Sequence, residues 1–141
     1  MTEAERIASR LHAAVAEGHR LLAGVAEERT ARRPAGRDWC AREVLGHLID
    51  SACNNHRRFI INQNADQLIV DPYEQNDWVE RQRYADTPMT DLLRFWTAYN
   101  SHIERVIRAM PEDVLARPRG PMGSHSFPYA AVARDARVSG G

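Results

Sequence analysis

The chain has 141 residues, 43% of them apolar and 27% charged, and a formal net charge of zero. That is the length of one domain and the balance of a globular rather than a disordered chain. Zero net charge argues against a dedicated nucleic-acid binder, which usually carries a net basic surface, and no apolar run reaches membrane-spanning length.

Ile7, Leu11, Val15, Gly18, Leu22 and Val25 recur at helical spacing and predict one long amphipathic helix from about Thr2 to Glu28. His12 and His19 share one flank of it by their i, i+7 spacing, as surface or boundary side chains. The stretch Thr30 to Asp38, with Pro34 and Gly36, is a connection. A second helix is predicted from about 41 to 62. Val44, Leu45, Leu48, Ala52 and Phe59 form its apolar face, and Ile49, Cys53 and Ile60 widen it enough to contact two neighbours.

Residues 64–85 read as irregular, with a short helix within Glu74 to Arg83. Thr87 as N-cap and Pro88 as first helical residue open a third helix, about 88 to 110, which Pro111 ends. Its stripe is Leu92, Phe95, Trp96, Tyr99, Ile103, Val106 and Met110, with Trp96 and Tyr99 in the core. After Leu115 the pattern fails, and Pro118, Gly120, Pro121, Gly123 and Pro128 punctuate the chain. The reading is an all-α, up-down, antiparallel bundle over 1–118. An irregular tail at 119–141 stands where a fourth helix belongs, so that helix is weak, short or missing.

Two cysteines, Cys40 and Cys53, offer no disulfide framework. Thirteen residues apart on one helix they are separated by about 20 Å of rise. The charged N-terminus lacks an apolar signal region, so the cytoplasm is the expected compartment.

On the second helix His47, Ser51, Asn54 and Arg58 fall at i, i+4, i+7 and i+11, one polar row beside the apolar face. Such a row either lines a cleft between helices or is a solvated edge. Asp50 beside it could orient a histidine or accept a proton. His56, nine positions after His47, points to the opposite side of the helix. Tyr73 and Trp78 lie in the long connection, where they either cover a pocket or anchor the loop. Cys40, three residues before Glu43, stands where a capping hydroxyl is usual and is read as a cap substitute rather than a nucleophile.

The string Gly46-His47-Leu48-Ile49-Asp50-Ser51 with Asn54-Asn55-His56-Arg57-Arg58-Phe59 resembles the DinB-like (YfiT-like) helical-bundle superfamily. Trp39, Glu43, Tyr73, Trp78, Trp96, Tyr99-Asn100 and His102 extend the resemblance over about 31–118. It implies a four-helix bundle, often a homodimer, with zinc or nickel on three histidines and hydrolase or thiol-transferase chemistry. His47 matches the ligand on the second helix, and Asp50, Ser51, Asn54 and Arg58 are the cleft candidates around it. A catalytic zinc takes three protein ligands and a water whose pKa falls toward about 7. The other two ligands come in that family from a His-x-x-x-His on the fourth helix, and this chain has no such pair. His102 and His125 are the remaining candidates. Three readings follow: a metal-dependent enzyme; a non-catalytic, degenerate bundle that serves dimerisation or binding; or a truncated or frameshifted product of an enzyme gene.

Overall fold

Thr2 starts the first helix, α1 (Glu3–Ala23), with a complete capping box. Its hydroxyl accepts from the Glu5 N–H, and the Glu5 carboxylate accepts from the Thr2 N–H. The structure, a computed structural model, describes residues 1–61, 63 and 72–115. The tail expected at 119–141, including His125, lies outside the described residues.

The helix expected to reach Glu28 stops at Ala23. Gly24 is the cap, Ala26 is extended, and a separate turn, α2 (Glu27–Thr30), follows. Glycine is a poor helix former, and the break lets Glu27 turn toward other helices, as described below. The second long helix, α3 (Ala41–Ile61), begins where its Glu43 carboxylate accepts from the Cys40 N–H at 3.1 Å. This half of the capping box needs no hydroxyl at position 40.

The connection then holds α4 (Gln75–Arg81) and a 3-10 turn at Tyr84–Asp86. The third long helix, α5 (Met89–Arg108), is capped by Pro88 rather than Thr87. A last turn, α6 (Glu112–Leu115), follows Pro111. Among the described residues every element is helical, and no helix is long and apolar enough to cross a membrane.

One guanidinium gathers the helix ends. Arg42, at the start of α3, donates to Thr30 Oγ1 (2.8 Å), the Ala85 carbonyl (3.2 Å) and the Glu27 carboxylate (3.2 Å). The same Glu27 oxygen accepts the Met89 N–H at 2.7 Å, so a residue of α2 satisfies a free donor at the start of α5. The C-terminal end of α1 and the starts of α3 and α5 therefore meet at one end of the bundle.

This contact fixes topology. At the other end His56 of α3 touches Tyr99 and His102 of α5, while His12 of α1 pairs with Glu104. So α1 runs antiparallel to α5, and α3 runs parallel to it. The antiparallel expectation holds only for α1, because a connection of more than twenty residues carries the chain back to the end where α3 began.

Between them the helices bury Leu11, Leu45, Phe59, Trp96, Ile103 and Ile107. Trp96 is fully buried as expected. Phe95 is not: it is 54% exposed, since 100° per residue carries it off the Trp96 stripe. Gly46 packs face-on against the Tyr84 ring, and a Cβ there would lie inside the ring atoms. Gly46→Ala is expected to lower stability by about 1–3 kcal/mol through overpacking. Urea unfolding checks this, and an unchanged midpoint would contradict the contact.

Candidate functional site

The polar row of α3 is in part covered rather than solvated. The chain from Pro72 to Asp86 lies across part of it, bonding Ser51 and the neighbouring Asp50. Ser51 is buried and shares a 3.0 Å hydrogen bond with the Tyr73 hydroxyl. Tyr73 in turn packs edge-on against Trp78, ring centroids 5.2 Å apart. Of the two roles open to these aromatics, these contacts are those of anchoring the loop.

Asp50 is the most enclosed member, at 2% exposure. Its Oδ1 accepts from the Tyr84 hydroxyl at 2.6 Å and from Gln82 Nε2 at 2.8 Å, while Oδ2 is buried with no hydrogen-bond partner. Burial is the largest influence on this carboxyl and raises its pKa. The hydrogen bonds from Tyr84 and Gln82 and the nearby His47 imidazole oppose that shift. Tyr84 is pushed upward too, first by burial and then by the carboxylate it serves.

His47 is half-buried, its ring 5.2 Å from the Trp39 indole and tilted 36° to it. Asn54 folds back onto its own helix, donating to the Asp50 carbonyl at 2.9 Å. Arg58 donates to Asn55 Oδ1 at 3.3 Å, one turn back on α3. Asp50 and Ser51 thus lie under one cover, His47 packs beside Trp39, and Asn54 and Arg58 are engaged along the helix.

His102, a candidate partner for His47, stands elsewhere. Its ring centroid is 5.3 Å from that of His56, at 84°. Nine residues of α3 separate His56 from His47, about 13 Å of rise and half a rotation of the helix. The structure therefore does not bring His47 and His102 together. It does keep His56 on the side opposite His47, as the spacing implied. There His56 Nδ1 lies 2.7 Å from the Tyr99 hydroxyl. Burial is the larger reason for the lowered pKa of His56, and His102 adds to it. Burial likewise raises Tyr99 to about 12, with the Cys53 thiol contributing.

Cys40 sits at the cap of α3, its N–H donating to the Glu43 carboxylate. It is 1% exposed, and burial raises its pKa despite the N–H groups of Glu43 and Arg42 beside it. Two residues central to the site, Gln82 and Tyr84, carry no periodic signal in the sequence. Only the polar atoms and the aromatic ring in an otherwise irregular stretch could have drawn attention to them.

Among the described residues no group of three or more His, Cys, Asp or Glu side chains could hold a metal ion. His47 is one imidazole, and the nearest carboxylate is turned to Tyr84 and Gln82. These residues do not fit a three-imidazole centre. What the arrangement does is hold a buried carboxyl of raised pKa against Tyr84 and Gln82 and so tie the connection to α3.

The model of one family, the DinB superfamily, matches residues 10–134. No curated protein and no solved structure matches the chain.

Two measurements test the electrostatics. The raised pKa of Asp50 means that the folded state binds its proton more tightly, so its share of stability is present at acid pH. That share is lost as pH rises from the unfolded carboxyl pKa to the folded one. Asp50→Asn, which removes the charge and keeps an acceptor for Tyr84, is expected to be at least as stable as the parent at pH 7. Asp50→Ala should lose about 1–3 kcal/mol, because the Tyr84 hydroxyl and Gln82 Nε2 each lose their shorter partner and are left with Gln82 Oε1 and the Trp78 carbonyl. A destabilised Asn variant with a neutral Ala variant would reverse this account. The lowered pKa of His56 has the opposite sense: stability is complete above the unfolded value near 6.5 and declines as pH falls below it. His56→Phe should flatten that acid-side decline in thermal melts, and an unaltered pH profile would contradict it.

Proposed function

Because the chain belongs to the DinB superfamily, we propose that it keeps the family bundle as a non-catalytic module for dimerisation or binding, without a three-histidine metal centre. One observation carries this reading: where the five described histidines stand. His56 and His102 face each other and Tyr99 on the side of α3 away from His47. His12 and His19 line the contact of α1 with α5. Only His47 and His125 are left for a site on the covered row. Two imidazoles fall short of the three protein ligands that a catalytic zinc uses. Asp50 is a poor substitute, since its buried carboxyl already serves two donors.

The enzymatic reading, a hydrolase or thiol transferase on zinc or nickel, predicts the contrary in one assay. Purified protein loaded with zinc or nickel and then desalted is expected to retain far less than one equivalent. Retention of one equivalent, lost in His47→Ala, would overturn the proposal and restore a metal centre at this row.

A further inference from the structure

At the end of the bundle remote from Arg42, two imidazoles from different helices face each other. His56 of α3 and His102 of α5 have ring centroids 5.3 Å apart, at 84°. Neither belongs to the polar row, and half a rotation of α3 separates them from His47. His56 is half-buried in the seam between the two helices, and His102 stands at its exposed rim.

Most of their ring nitrogens are open. His56 Nδ1 lies 2.7 Å from the Tyr99 hydroxyl, and no other hydrogen bond reaches either ring among the described residues. That leaves His56 Nε2 and both nitrogens of His102. The exposed His102 ring can turn a nitrogen toward Nε2 without breaking a hydrogen bond. Two imidazoles on one tetrahedral ion, each bonded at about 2.0–2.1 Å, have centroids roughly 5.2 Å apart. The observed spacing agrees with this. The angle between the planes is no obstacle, because each ring turns about its own bond to the ion. Tyr99 supplies the outer contact that ligating histidines have: with an ion on Nε2, His56 Nδ1–H donates to the phenol oxygen. Burial and the neighbouring His102 lower the pKa of His56, which favours the neutral, ligating imidazole.

The donor type narrows the ion. Imidazole suits zinc, copper and nickel, whereas magnesium and calcium take oxygen ligands. The centroid spacing suits a tetrahedral ion, the geometry usual for zinc. No third His, Cys, Asp or Glu completes the group among the described residues, so water fills the remaining positions. We propose that His56 and His102 form a two-imidazole zinc site that bridges α3 and α5. With two protein ligands the ion exchanges freely and is lost on desalting. The site is therefore independent of the reading of the α3 row.

Isothermal titration calorimetry of the full chain with zinc chloride at neutral pH, and with magnesium chloride as the oxygen-seeking control, tests it. Saturable one-to-one zinc binding is expected, with none for magnesium. His102→Ala, at an exposed position, should abolish that binding and leave the metal-free melt unchanged. His47→Ala should leave it intact, which separates this site from the α3 row. In proton NMR spectra, zinc should shift the ring signals of His56 and His102 ahead of those of the other histidines. No saturable zinc heat, undiminished binding by His102→Ala, or binding lost in His47→Ala would each overturn the inference.

Discussion

The guanidinium of Arg42 is the constraint from which the architecture follows. Its side chain is only 13% exposed and divides its hydrogen bonds among Thr30, Ala85 and Glu27. A partly buried cation needs such partners, because an unpaired one pays a large desolvation cost. Here the partners belong to separate stretches of chain. Satisfying one side chain therefore brings together the turn after α1, the start of α3 and the approach to α5. Glu27 completes the arrangement by taking the first N–H of α5. The parallel course of α3 and α5 is a consequence, since both helices must leave from the same end.

A parallel pair requires the chain to travel back the length of the bundle, and that return segment determines the fate of the polar row on α3. Tyr84 can lie on α3 only because residue 46 has no side chain, and from there its hydroxyl reaches Asp50. Gln82 joins the same oxygen, and Tyr73 reaches the adjacent Ser51. The groups that look like a catalytic wall thus hold the connection in place. A buried carboxyl of raised pKa is often a sign of catalysis. At Asp50 the raised pKa comes first from burial where the loop packs onto the helix.

Much of the fold was legible in the sequence, and the legible parts share a cause. Apolar spacing along α1, α3 and α5 reflects local periodicity, so the helices fall close to their expected spans. The start of α1 follows from Thr2 and Glu5 alone, three residues apart. The misplaced boundaries are those where a distant group decides: α1 stops at Ala23, and Glu27 is freed to bind Arg42 and Met89 across the bundle. The candidate site divides in the same way. Spacing along α3 correctly separates His56 from His47, because both lie on one helix. Spacing is silent on His102, whose neighbour is set by how α5 packs on α3.

The sequence by itself determined the all-helical class, the three long helices and the row of His47, Ser51, Asn54 and Arg58 with Asp50 beside it, all of which depend on residues within a few turns of one another. It also settled that no His-x-x-x-His pair exists to complete a three-histidine centre. Only the tertiary structure decided the direction of α3 relative to α5, the covering of the row by Tyr73, Gln82 and Tyr84, and the pairing of His102 with His56. Each of these depends on contacts between residues tens of positions apart, which helical periodicity cannot encode.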